Sequence, residues 1–177
     1  EGTFHGVKTL AIADTPPAIL VGMKTGGVRR IDLASGDIRQ LPASGPLTSA
    51  AFSRDRLAIG TLYWEFSLFA NNSDKPLANR QIDYNPVQSL AFARLGGTDY
   101  LAVGSGQIGG GRVRLYRTPA CTNAEFELKP DCGEISHLKM IGRNLLAVSR
   151  DGLVALWQDK AEAARATNVL TNEKARR

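Results

Sequence analysis

The 177-residue sequence predicts an all-β fold: a β-propeller of four-stranded antiparallel blades, about four of them, forming an arc of a larger propeller. Two observations carry this expectation. One is a repeat: Gly6-Val7-Lys8-Thr9-Leu10-Ala11-Ile12 returns as Pro46-Leu47-Thr48-Ser49-Ala50-Ala51-Phe52, as Pro86-Val87-Gln88-Ser89-Leu90-Ala91-Phe92 and, more weakly, as Glu134-Ile135-Ser136-His137-Leu138-Lys139-Met140. Val7, Leu47, Val87 and Ile135 stand 40, 40 and 48 residues apart, and a period near 40 built of short apolar runs marks a propeller blade. The other is the second half of each repeat. Leu20-Val21-Gly22 leads through a turn to Val28-Arg29-Arg30-Ile31-Asp32, and Ala58-Ile59-Gly60 leads to Phe66-Ser67-Leu68-Phe69. Ala102-Val103-Gly104 leads to Val113-Arg114-Leu115-Tyr116, and Leu146-Ala147-Val148-Ser149 leads through Asp151-Gly152 to Val154-Ala155-Leu156-Trp157. Gly22 to Ile31 and Gly60 to Phe69 span nine residues and Ser149 to Trp157 spans eight, while the third copy is longer and carries Gly109-Gly110-Gly111. Apolar runs joined by glycine or aspartate turns are hairpins.

Each repeat is therefore expected to hold four strands. The first is the Val/Leu run at 7–13, 47–53, 87–93 and 135–141, and the second is the small-apolar run at 18–22, 57–61, 100–105 and 145–149. The third ends on an anchor residue, Ile31, Phe69, Tyr116 or Trp157. The fourth is more polar, at 38–41, 77–82, 125–128 and, weakly, 167–171, as suits an outer edge facing water. These divisions place four blades within residues 1–171, at about 7–46, 47–86, 87–134 and 135–171, and leave 172–177 as a charged C-terminal tail.

Composition fits a soluble globular chain: 43% hydrophobic and 22% charged residues lie near ordinary averages, so disorder is not suggested. No apolar run approaches the roughly 20 residues of a spanning helix, so no membrane span is expected. Four blades are few, and a ring needs its last blade closed by its first. Residues 1–6 are too short to supply a closing strand. The expectation is an arc completed by blades elsewhere in a longer protein or by self-association, with a closed four-bladed disc as the alternative.

The segment Leu145-Leu146-Ala147-Val148-Ser149-Arg150-Asp151-Gly152-Leu153-Val154-Ala155-Leu156-Trp157 resembles the strand, Asp-Gly turn, strand and Trp signature of the WD-repeat family, and Phe52-Ser53-Arg54-Asp55 resembles its Phe-Ser-Pro-Asp stretch. The resemblance covers nearly the whole chain through degenerate repeats. The Gly-His dipeptide that opens a standard repeat is absent, and only the fourth copy has both the turn Asp and the Trp. The hydrogen-bonded tetrad of that family is thus largely missing, which leaves more of the holding to apolar packing. Arg30-Ile31-Asp32-Leu33-Ala34-Ser35-Gly36-Asp37 also resembles the Asp-x-x-x-Gly turn of quinoprotein-type propellers.

No catalytic constellation stands out, and no cofactor or metal site is expected. Cys121 and Cys132 flank a fourth-strand slot, and an extended segment of that length holds Cα atoms on the order of 20 Å apart, too far for a disulfide. Free thiols are expected, which slightly favours a cytoplasmic location. The two cysteines lack Cys-x-x-Cys spacing, and the two histidines offer no metal motif. His137 shares its slot with Thr9, Ser49 and Ser89, which points to a strand polar residue bonded to a neighbouring blade rather than a general base. The glycine-rich run 104–111 leads to a strand, whereas a dinucleotide loop needs a helix N-terminus, so it reads as an elongated hairpin tip. Asp32, Asp37, Asp55 and Asp151 fall at turns, where Asp bonds nearby backbone. The net charge of +5 comes from arginines spread around every blade, without aromatic interleaving, so no specific nucleic-acid partner is expected.

What remains is surface. The turns between second and third strands, together with the connections between blades, should emerge on one face of the disc. Lys24, Thr25, Leu62, Tyr63, Trp64, Gln107, Ile108, Arg150 and Asp151 fall there from the turns, with Asp83, Tyr84 and Asn85 from a connection. Tyr63, Trp64, Tyr84, Asn85 and Arg150 form a candidate protein-interaction face of the kind rich in interface hot spots. Trp64 could equally fold back over blade two. Two functions stay open: a non-enzymatic propeller domain that recognises protein partners as scaffold or sensor part of a larger protein, or part of an enzyme propeller, of quinoprotein or hydrolase type, whose catalytic residues lie outside this chain.

Overall fold

The computed structural model describes residues 7–14, 17–82, 84–106 and 110–158, and every regular element among them is a β-strand. Blade 1 comprises β1 (Val7–Asp14), β2 (Pro17–Met23), β3 (Val28–Asp32) and β4 (Ile38–Leu41). Blade 2 comprises β5 (Leu47–Phe52), β6 (Arg56–Thr61), β7 (Glu65–Ala70) and β8 (Pro76–Gln81). Blade 3 comprises β9 (Val87–Leu95), β10 (Thr98–Ser105), β11 (Arg112–Arg117) and β12 (Ala124–Leu128). Blade 4 contributes β13 (Ile135–Ile141), β14 (Asn144–Ser149) and β15 (Val154–Gln158). Each sheet is antiparallel with its strands paired in chain order. The fourth strand expected at 167–171 and the charged tail lie outside the described residues.

One face of each blade packs on the next blade, and the pairing register says which. Directly paired residues share a face of a sheet. In blade 2 the row Phe52, Leu57 and Phe69 enters a cluster with Leu20, Val28 and Leu41 of blade 1. In blade 3 the row Phe92, Leu101 and Tyr116 enters a cluster with Ala58, Phe66 and Leu68 of blade 2. In blade 4 the row Met140, Leu145 and Trp157 packs against Ala102, Val113 and Leu115 of blade 3. Each fully buried Leu or Phe in such a row contributes roughly 1.5–3 kcal/mol by burial. The anchors Phe69, Tyr116 and Trp157 are thus one feature repeated, the last row residue buried against the preceding blade.

The same interfaces share two closer devices. Gly22, Gly60 and Gly104 occupy one slot, and a Cβ there would lie less than 3.0 Å from Leu47, Val87 and Ile135, the first residue of the next blade. Beside them, Ser49 Oγ donates to the Val87 carbonyl at 3.2 Å and Ser89 Oγ to the Ile135 carbonyl at 3.0 Å. The register also corrects the sequence alignment of the fourth repeat. Val148, not Ser149, pairs with His137 as Gly60 pairs with Ser49 and Gly104 with Ser89. Counted from Val148, Trp157 falls nine residues on, the spacing of the first two repeats.

Arginines also fasten one blade to the next. Arg30 donates through Nη1 to the Asn71 carbonyl and Arg39 to the Asn72 carbonyl at 3.0 Å, both in the β7–β8 turn. Arg56 reaches Thr118 Oγ1 at 2.6 Å and Arg80 Nε reaches the Cys121 carbonyl at 2.8 Å, both in the β11–β12 turn. Arg30 and Arg114 are both buried; Arg30 thereby joins blade 1 to blade 2, while Arg114 pairs with Glu127 Oε2 of its own blade at 3.4 Å. Trp157 Nε1 is buried with no acceptor among the described residues. The innermost strands β1, β5, β9 and β13 pack in series, but β1 and β13 form no fourth interface of this kind.

A candidate protein-interaction surface

The β6–β7 turn of blade 2 is tied down at both ends. Leu62 N donates to the Pro46 carbonyl at 3.0 Å, and Ile82 N donates to the Trp64 carbonyl at 2.7 Å. Between these anchors Trp64 adopts φ 65°, a left-handed conformation that bulky residues seldom take. Its half-buried ring packs on the cluster between blades 2 and 3 and meets Tyr84 edge-on, with centroids 5.2 Å apart and planes at 73°. That is a favourable aromatic geometry. Tyr84 itself is 82% exposed. Trp64 thus folds back, one of the two outcomes open from the sequence, and serves as the seat on which Tyr84 is displayed.

Tyr63 is 55% exposed and turns the other way, its ring lying over Gly45, where a side chain would collide with it. There it borders an open cleft of about 600 Å³ with Lys24, Thr25, Gln40, Pro42 and Ser44. Arg150 is placed apart. In the β14–β15 turn of blade 4 its backbone N donates to the Glu134 carbonyl at 2.8 Å, and its Nη1 pairs with Glu134 Oε2 at 3.4 Å. The structure therefore brings Trp64 and Tyr84 into contact, with Asn85 adjoining Tyr84 in the chain, and gives Tyr63 and Arg150 separate settings. Asp83, Gln107 and Ile108 lie outside the described residues.

Two of the turn carboxylates, Asp32 and Asp151, accept from backbone N–H groups, while Asp55 accepts from Ser53 Oγ and pairs with Arg56. Asp32 Oδ1 accepts from Ala34 N at 2.9 Å and Ser35 N at 3.1 Å, and these bonds hold its carboxyl below the ordinary range. Asp151 accepts from Ser149 Oγ and from Gly133 N at 2.9 Å, with the same effect. Both cysteines are free thiols, on either side of β12 as the strand slot requires. Burial pushes the Cys121 thiol up to about 11, and burial followed by Asp151 raises that of Cys132. Neither is a thiolate near neutrality. Gly111 N donates to the Cys132 carbonyl at 2.7 Å. Among the described residues there is no group of three or more His, Cys, Asp or Glu able to hold a metal ion, and no helix long and apolar enough to cross a membrane.

A second surface escaped the sequence reading. The row Ile12, Ile19, Ile31 and Ile38 crosses all four strands of blade 1 in register. It is the counterpart of Phe52, Leu57 and Phe69, yet Ile12 is 63% and Ile38 56% exposed. Four isoleucines in strands read as core, and only the absence of a blade against them among the described residues makes them surface. The weaker anchor, Ile31 in place of Phe, Tyr or Trp, was the available signal.

No family model matches the chain, and no curated protein does. Among solved structures it is similar to the crystal structure of the computationally designed Ika4 protein. The TM-score is 0.73 at 15% identity, over 90% of this chain and 95% of that one. At that identity the likeness concerns the fold alone.

Proposed function

We propose that this chain is a WD-repeat-like, non-enzymatic propeller domain that recognises a protein partner, as scaffold or sensor part of a larger protein. The observation that carries the reading is the display of Tyr84, held edge-on by a backbone-anchored Trp64, while Tyr63, next to Trp64 in the β6–β7 turn, is exposed on the other side over Gly45. Tyrosines offer a large amphipathic contact for little side-chain entropy, and aromatics are enriched in interface hot spots. The β6–β7 turn is fixed before any partner arrives, which lowers the ordering cost of binding.

The test is affinity capture with the purified chain, identification of the retained protein, and titration of that protein in pure form. Tyr63→Ser/Tyr84→Ser should weaken its binding at least tenfold, about 1.4 kcal/mol. Leu77→Ser, at an exposed site on the outer strand β8, should leave it unchanged. Equal binding by both variants would refute the placement of the site.

A further inference from the structure

We propose that the arc has a direction: the isoleucine row of blade 1 is the acceptor surface for a preceding propeller blade supplied from outside this chain, and blade 4 is built to end the series. The proposal concerns a sheet face and not the turns, and stands independently of the tyrosine site.

Three times in this chain an incoming row is covered, and each covering face has the same chemistry. It carries a glycine beneath the first residue of the next blade, at Gly22, Gly60 and Gly104. In blades 2 and 3 it adds a serine hydroxyl donated to that residue's carbonyl, from Ser49 and Ser89. An alanine completes the inner strand, at Ala11, Ala51 and Ala91. Leu47, Val87 and Ile135 are buried as a result, whereas their counterpart Val7 is 40% exposed. Blade 1 thus presents a complete incoming face, from Val7 through Ile12, Ile19, Ile31 and Ile38, with no outgoing face against it among the described residues. These interfaces say what fits there: a blade with glycine under Val7 and a small residue beside it, and, as at two of the three, a hydroxyl aimed at the Val7 carbonyl.

A second native copy of this chain does not meet that description. The slots of its last blade hold Val148 for glycine, His137 for serine and Lys139 for alanine. A single Cβ in the glycine slot already approaches the next blade too closely at all three interfaces, and valine adds two methyl groups. Lys139 would lose water without a partner in that seam. His137 is exposed and shares a 3.0 Å hydrogen bond with Ser136. This corrects the sequence expectation that it bonds a neighbouring blade, for no blade follows it among the described residues. On β14 and β15 the outgoing face keeps half-buried apolar residues, Leu146, Val154 and Leu156, so what ends the series is the inner strand and the filled glycine slot, His137, Lys139 and Val148.

The test restores the missing chemistry. His137→Ser/Lys139→Ala/Val148→Gly gives blade 4 the outgoing face of blade 3, so this variant should associate head to tail. Light scattering at high micromolar concentration should read two or more chains, where the native protein stays at its 19.0 kDa monomer mass. Adding Ile12→Asp should return the variant to monomer. That four-site chain, mixed with native protein, should give a 1:1 complex through the native acceptor face. Should the triple variant fail to melt cooperatively, Lys139→Ala/Val148→Gly keeps the His137–Ser136 bond and is held to the same outcomes. A folded variant that remains monomeric, a four-site chain that ignores native protein, or native assemblies dissolved by Ile12→Asp would each overturn the proposal.

Discussion

Blades 1 and 2 carry the same row of large apolar residues at the same register, and the two rows have opposite fates. Leu57 and Phe69 are fully buried against blade 1, while Ile12 and Ile38 are mostly exposed. The strand order and antiparallel pairing are the same. What differs is the neighbour. Such a row is therefore core or exposed surface according to what stands beside it, and a local sequence pattern does not encode which.

Urea unfolding of substituted chains should break that equivalence or sharpen it. The largest contrast should come from charge. Leu57→Asp places an unpaired carboxylate in a closed interface and should cost at least about 4 kcal/mol, whereas Ile12→Asp in the isolated chain should stay within about 0.5 kcal/mol. Equal losses would mean that the isoleucine row is covered in solution. Next comes the glycine slot. Gly60→Ala forces a Cβ into Val87 and should cost about 1–3 kcal/mol, against about 1 kcal/mol or less for Val148→Gly, which loses only strand propensity and a half-buried side chain. A smaller difference is expected at the hydroxyl slot. Ser89→Ala should cost about 0.5–1.5 kcal/mol, and His137→Ala should leave the midpoint in place.

A pH dependence is expected as well. Burial raises the Cys121 thiol from the ordinary range to about 11, so the folded chain binds more protons than the unfolded one between roughly 9 and 11. The neutral thiol's contribution is then intact below that window and is lost as pH rises through it. Cys121→Ala should flatten this part of the stability profile, and thiol titration should find Cys121 unreactive near neutrality while the chain is folded.

Much of the fold was legible because propeller strands announce themselves twice, by alternation within a strand and by recurrence near every 40 residues. Third strands were expected to end on Ile31, Phe69, Tyr116 and Trp157, and each runs one residue further. The fourth strand of blade 1 lies at Ile38–Leu41 as expected. The offset in blade 4 arose because Ser149 looks like a small-residue match for glycine, whereas hydrogen-bond register decides the slot. The candidate site was partly legible. Turn position placed Tyr63, Trp64 and Tyr84 on blade 2, but the distance of a turn residue on one blade from one on another depends on ring geometry, so Arg150 could not be assigned its Glu134 partner or its separation from the aromatics.

The sequence by itself determined the strands, their order within each blade and the absence of a bridge between Cys121 and Cys132, because hydrophobic alternation, turn chemistry and chain reach are local properties. It took the packing of whole blades to show that Trp64 folds back beneath Tyr84, that Arg30 and Arg114 are buried, and that Ile12 and Ile38 stand mostly exposed among the described residues. Those outcomes depend on which surfaces meet, and a surface loses its water only when a second one, fixed by the whole arrangement, arrives to displace it.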